Sequence, residues 1–379
     1  MRIPGRLASF ACAVVACVAS PVYTITDLGT FGGSDTTAFA VSANGQAAGW
    51  AVDPLGNTVA VVFGGAGPTD LLAGSSWPEG QATGINSSGQ VSGTVYSNGT
   101  AHGVIWSGAT TVDLGANTSA AAINDAGQVA GSSNQAFLYQ NGTRTDLGTL
   151  AGGSWSLAEG LSGNGDVAGY GDTASGIRGF VWTPGGGMLE LGTLGGGSSY
   201  GMAVNDAGVV AGSAAVGSGY LNATSWLNGT ATDLGTLGGS DSYAYGINDA
   251  GAIVGYSWIS GDGSTHGFVV LNGVMVDLNS LLSPADSGWV ITAAYGINDG
   301  GQIAGEAMYD GQAYAVLLGD PASLPSGGGT AGGGTASGGT SGAGTSGVGS
   351  TAPEPGTWIL VGGAVVLGGA LRRGLRRQR

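Results

Sequence analysis

A five-residue motif bounded by glycines recurs seven times in this chain: GQAAG at 45, GQVSG at 89, GQVAG at 127, GDVAG at 165, GVVAG at 208, GAIVG at 251 and GQIAG at 301. A second mark, an acid followed by Leu at the end of a short β-rich run, falls at Asp27, Asp70, Asp113, Asp146, Glu190, Asp233 and Asp277. The spacings are 43, 43, 33, 44, 43 and 44. Periods of this length belong to arrays in which one unit cannot bury its apolar face alone and must stack on its neighbours. With 80 Gly and only 9% charged residues, the composition fits neither a disordered tail nor an ordinary enzyme domain.

Each unit divides further. The first Gly of the motif follows pairs such as Asp125-Ala126 or Asp249-Ala250, where a turn closing a hairpin needs positive φ. Gly supplies that conformation without strain. The second Gly lies inside the next strand and predicts close approach of a neighbouring backbone. An apolar third element follows: AVVF near 60, GVIW near 103, AFLY near 136, GFVW near 179, ATSW near 223, GFVV near 267 and AVLL near 315. Several copies run into Asn-Gly, as at Asn141-Gly142, Asn228-Gly229 and Asn272-Gly273, a strong hairpin signal.

A unit therefore reads as four short strands in about 43 residues, the size of one propeller blade. The repeat body opens with a lone fourth strand, Tyr23 to Leu28, and ends after a third strand, Ala313 to Leu318. The expected fold is all-β, a seven-bladed β-propeller closed by its N-terminal strand, since closure removes exposed sheet edges. A stacked β-solenoid is the alternative, although its coils are nearer half this length. The one short unit leaves the register of the third blade open.

Charge narrows the partners. There is no Lys, and of nine Arg only Arg144 and Arg178 lie away from the two ends. Residues 20–320 carry all 24 acids except Glu354, that is 23 against 2 Arg, a net −21. Clamping phosphates requires clustered basic residues, so nucleic acid is excluded as a partner. Such acidity serves solubility and attracts cations, calcium among them, although no motif sets alternating oxygen ligands around one ion. Both cysteines, Cys12 and Cys17, sit in the N-terminal apolar stretch, so a body freed of it has no thiol, disulfide or Cys-ligated metal. No cofactor is implied.

The two ends read as addresses. Residues 1–19 have Arg2 and Arg6, an apolar run from Leu7 to Val18, and a small-residue cut between Ala19 and Ser20, the pattern of a secretory signal peptide. A second reading takes Val14-Val15-Ala16-Cys17 as a lipobox, with a lipidated Cys17 as the mature start. Residues 20–320 are the repeat body. Residues 321–352 form a linker, almost wholly Gly, Ser, Thr and Ala from 326 onward, which cannot bury a core and serves as a stalk. Residues 353–379 run from Pro353-Glu354-Pro355 through an apolar stretch, Gly356 to Leu371, into Arg372, Arg373, Arg376, Arg377 and Arg379. The basic end stays in the cytoplasm. The apolar stretch of 16 residues is shorter than the ~20 needed to span a ~30 Å hydrocarbon core, which suits a short, transient transmembrane helix.

Here two resemblances become specific. The run PEPGTWILVGGAVVLGGALRRGLRR, about the last 27 residues, resembles the PEP-CTERM sorting signal of Gram-negative bacteria that make extracellular polysaccharide. Gly356 departs from it, standing where that family more often has a small hydroxyl residue or Ala. The resemblance implies the export machinery and an exosortase-like processing enzyme as partners, with the inner membrane held at least transiently. A plain C-terminal anchor is the other reading. The body, with His-Gly-Phe at His266 and DLGTLGG-type turns, resembles the HAF repeats of bacterial extracellular proteins over nearly all of residues 23–318. That resemblance implies location better than activity.

Residues recurring in every unit are explained by folding, so a site belongs among those that do not recur. His102 and His266 occupy the same repeat position in different blades and read as packing residues; two separated His and no Cys or Lys leave no material for a Ser-His-Asp triad or a zinc site. Glu79, Glu159, Glu190 and Glu306 are the carboxylates that could converge on a central channel, as a glycosidase pair would. Trp77, Trp155 and Trp289 all lie between a fourth strand and the next first strand, on what would be one face, where exposed rings could stack on sugars. The expectation is an exported cell-surface or matrix protein, non-enzymatic, binding extracellular polysaccharide or supporting a biofilm. A carbohydrate-active enzyme, hydrolase or lyase, using channel carboxylates is the alternative.

Overall fold

The computed structural model describes residues 22–65 and 67–319, which form a ring of seven four-stranded antiparallel sheets. Blades 1 to 6 span 36–70, 79–116, 119–148, 156–190, 195–235 and 238–277, each with its strands in sequence order. Blade 7 takes its first three strands from 290–319 and its outer strand from Thr24–Asp27, which pairs with the third strand in the register Thr24↔Gly319 to Asp27↔Val316. The ring is thus closed by the N-terminal strand, as the phase of the repeat predicts, and the solenoid alternative falls. Two short 3-10 turns, Leu278–Leu281 and Pro284–Asp286, lie in the connection from blade 6 to blade 7. Among the described residues no helix is long and apolar enough to cross a membrane. The expected signal peptide with its Ala19/Ser20 cut, Cys17, the linker from 321, and the sorting segment with Pro353, Glu354, Pro355 and its arginines lie outside the described residues.

The invariant glycines do two different jobs. The first of each motif has φ between +72° and +87°, the left-handed region that closes the first hairpin. The second meets backbone: a Cβ at Gly49, Gly93, Gly131, Gly169, Gly212, Gly255 or Gly305 would lie 1.9–2.3 Å from a first-strand carbonyl oxygen. At Gly93, Gly131, Gly169 and Gly255 an aromatic ring from the third strand also lies over the vacant position. The core follows from this layering: Phe63, Phe180, Trp226 and Phe268 are fully buried in clusters shared between neighbouring sheets, and Phe137 is fully buried over Gly131.

The acid of the Asp-Leu mark has a local task as well. Asp27, Asp70, Asp113, Asp233 and Asp277 each accept the backbone N–H two residues on, at 2.7–2.8 Å, turning the chain out of the outer strand. Leu147, Leu191 and Leu278 then enter the core.

Two faces result. The turn face carries the first-to-second and third-to-fourth hairpins; the connection face carries the links between second and third strands and between blades. Around the turn face runs a closed belt in which every blade donates one Asn amide to a carbonyl of the next. Asn86, Asn124, Asn205, Asn248 and Asn298 donate to Asn124, Ser162, Asn248, Asn298 and Ser42 at 2.9–3.1 Å. Blades 1 and 4 have Ser42 and Ser162 at that position and use Asn44 and Asn164 instead, at 3.2 and 2.9 Å to Ser87 and Asp206. Asp125, Asp206, Asp249 and Asp299 add a backbone N–H from the preceding turn. Part of the body's acidity is therefore spent on joining blades.

Candidate functional site

Opposite each second glycine the first strand gains one residue, so the ladder slips from Ala38↔Gly49 to Ala40↔Ala48, and in the same way in all seven blades. The extra residues are Phe39, Thr83, Ala121, Glu159, Met202, Tyr245 and Tyr295. A β-bulge frees one side chain from the pleat and re-aims it. Here all seven line a central cavity of ≈ 220 Å³. The bulge repeats while its residue does not, which is the pattern expected of a site built on a repeating scaffold.

The wall is asymmetric. From blade 6 round to blade 1 it is aromatic: Tyr245 meets Tyr295 with ring centroids 5.5 Å apart, and Tyr295 meets Phe39 at 5.3 Å, while blade 5 presents Met202. Across blades 2 and 3 it is small, with the Thr83 hydroxyl and the Ala121 methyl. Glu159 stands at the junction, half-buried, with the Tyr170 hydroxyl as hydrogen-bond donor. Burial outweighs that bond and pushes its carboxyl up to about 7. Burial and the nearby carboxylate likewise raise the Tyr170 hydroxyl.

The short third repeat opens this wall. Gly93 to Val104 spans 11 positions in blade 2 and Gly131 to Phe137 spans 6 in blade 3, each pair being directly cross-strand. Asp70 to Gln81 spans 11 positions and Asp113 to Ser119 spans 6, both ending two residues before the bulge. Both deletions fall on the connection face and together account for the whole shortening. The second strand of blade 3 is accordingly Val129–Ser132, 4 residues against 7 in blades 2 and 4. Above it lies a notch of ≈ 70 Å³ lined by Gln81, Thr83, Thr94, Tyr96, Ser119, Ser132 and Glu159 among others; it shares Thr83, Ala121 and Glu159 with the channel.

The carboxylates read from the sequence are not gathered. Glu79 opens the first strand of blade 2 and is exposed; Glu190 lies on the outer strand of blade 4, 3.4 Å from the Arg178 guanidinium. Glu306 lies on the second strand of blade 7, accepting from Thr37 and Thr292 hydroxyls at 3.1 Å, and burial raises its carboxyl. Of the four, Glu159 lines both cavities, and it is the one carboxylate to do so among the described residues. Among these residues no group of three or more His, Cys, Asp or Glu could hold a metal ion.

His102 and His266 do hold equivalent positions, but they pair rather than merely pack: Nδ1 lies 3.0 Å from the Asp113 carboxylate and 2.7 Å from that of Asp277, the acid of the same blade's Asp-Leu mark. Trp77, Trp155 and Trp289 lie on the connection face, each half-buried against other rings: Trp77 on His102 at 4.8 Å, Trp155 on Tyr170 at 6.1 Å, Trp289 on Tyr309 at 4.8 Å. Sequence reasoning missed the bulge ring. The sign was available in the x of A-x-G-I-N, the one position between recurring neighbours that never settles on a residue type.

No family model matches the chain, and no curated protein matches its sequence. Solved structures similar to it include YCF48 bound to D1 peptide, 11% identical over 80% of this chain and 96% of that one, with a TM-score of 0.47. The β-propeller domain of the Trilobed protease from Pyrococcus furiosus is 8% identical over 76% and 96%, at 0.48. XC5397 from Xanthomonas campestris, a gluconolactonase, is 11% identical over 80% and 93%, at 0.39.

Proposed function

We propose that the chain is an exported, surface-displayed propeller that holds extracellular polysaccharide without cleaving it. The observation that carries this reading is the lone carboxyl of the central cavity. Glycoside hydrolysis needs two carboxyl groups flanking one bond, about 5 to 9 Å apart. Among the described residues the cavity offers Glu159 alone, beside the rings of Phe39, Tyr245 and Tyr295 and the hydroxyls of the adjoining notch. Rings and hydroxyls without a second acid suit retention of a polyhydroxylated chain. The sequence of residues 1–19 and 353–379 supports delivery to the surface by the export machinery and an exosortase-like enzyme, with an inner-membrane stage. Trp77, Trp155 and Trp289 offer further partly exposed rings on the connection face.

The test mixes the purified full chain with an extracellular polysaccharide fraction, with and without calcium, following co-sedimentation and polymer length. Co-sedimentation at unchanged length is the expected result. Shortening of the polymer overturns the reading in favour of hydrolase or lyase chemistry, and no co-sedimentation in either condition overturns polysaccharide binding itself.

A further inference from the structure

The notch over blade 3 is where the scaffold falls short of its own repeat, and it exposes polar side chains beside small apolar ones. Gln81, Thr94 and Ser119 line it with side chains that make no hydrogen bond within the described residues. Ser132 accepts the Ala158 N–H at 2.8 Å and keeps its own proton to donate. Polar groups left unsatisfied at the wall of a cavity are the groups a ligand can use. Donors and acceptors are both present: hydroxyls from Thr94, Ser119 and Ser132, the Gln81 amide, and the Glu159 carboxyl where the notch meets the channel.

Among the described residues the notch has no cationic wall. Arg144 lies 2.7 Å from Asp146, and Arg178 is paired with Glu190 on an outer strand. An anionic sugar would meet Glu159 with nothing to offset it, inside a body of net −21. At ≈ 70 Å³ the space takes the edge of one sugar ring, not a chain running through. Leu157 and Ala158 line the notch beside Glu159 and offer apolar surface to the carbon face of such a ring.

We propose that the notch over blade 3 receives the terminal residue of a neutral glycan, its hydroxyls bonded by Gln81, Thr94, Ser119 and Glu159. This rests on the polysaccharide-binding reading above and names the part of the polymer that is recognised. The ten residues absent from the third repeat are then the feature that makes the protein a binder of chain ends.

The experiment measures retention of the purified full chain on immobilised galactomannan and dextran, with polygalacturonate as the anionic control. Free galactose, glucose or mannose at tens of millimolar serve as competitors. Retention on a neutral polymer, released by one of these sugars and absent on polygalacturonate, is expected. Ala121→Leu, which grows into the space shared by notch and channel, should weaken retention about tenfold or more. Glu159→Ala should do so too, whereas Ala at Trp77, Trp155 and Trp289 together should leave retention within about twofold. An unchanged thermal melt establishes that each variant folds. Full retention by both Ala121→Leu and Glu159→Ala overturns the notch; if retention is instead lost with the three Trp, polysaccharide binding stands at a different place. Retention of the wild type by no polymer overturns both readings.

Discussion

The two faces of the ring are built on opposite terms. On the turn face every blade repeats a glycine at positive φ and an Asn amide handed to the next blade, and four of the seven junctions add an Asp that accepts a backbone N–H. On the connection face and in the channel mouth the backbone device recurs but its side chain changes from Phe39 to Thr83 to Glu159. The difference teaches where stability is invested. A ring closed by neighbour-to-neighbour bonds along one face can vary the other with little cost, and the loss of ten residues from blade 3 falls wholly on the varied side.

Substitutions can break this contrast or sharpen it. The largest effect is expected from Gly255→Ala, whose new Cβ would sit 1.9 Å from the Tyr243 carbonyl oxygen and 2.8 Å from the Phe268 ring. Both partners are held in the sheet, so the cost should exceed about 3 kcal/mol in urea unfolding. A loss below about 1 kcal/mol would mean that the sheet can relax at its tightest point.

The next effect is a pH dependence located on the varied side. Glu159 has a folded-state pKa raised from 4.5 to about 7, so between those values the folded chain binds more protons than the unfolded one. Its contribution to stability therefore falls as pH rises from about 4.5 to 7 and is level above, by at most about 3 kcal/mol. Glu306 and Asp166, also raised by burial, act in the same direction. Glu159→Gln should flatten much of the slope in a pH series of chemical denaturations. An unaltered slope would assign it to other carboxyls.

Smaller again is Asn248→Ala on the turn face. It removes a buried donor to the Asn298 carbonyl at 3.1 Å and an acceptor for the Ala252 N–H at 2.9 Å, worth about 1 to 2 kcal/mol. Smallest is Ser119→Ala at the notch, expected within about 0.5 kcal/mol of the wild type. If Ser119→Ala cost as much as Asn248→Ala, the division between the faces would fail.

How much of this is legible in the sequence follows the same division. Blade number, strand order, ring closure and the two glycine roles can be read because each is imposed on every unit and so leaves a period. The Asn-Gly hairpins are equally plain, with Asn141, Asn228 and Asn272 all at positive φ as the turn chemistry demands. The site is harder to see. A bulge constrains its neighbours Ala and Gly and leaves its own residue unconstrained, so Glu159 looks no different in the sequence from Glu79 or Glu190. The notch is legible only as a spacing of 33, which marks that something is missing and not on which face. The roles of His102 and His266 were hidden because their partners, Asp113 and Asp277, lie eleven positions away across a hairpin.

The closing strand has one more consequence. Thr24 and Gly319 are directly paired, so the chain enters the ring and leaves it side by side, at the end where the hairpin turns lie. Whatever follows Gly319 in the chain therefore leaves from the face that carries the Asn belt, opposite the notch. The belt of turns is the side next to that exit, and the variable surface with its notch is the side farthest from it.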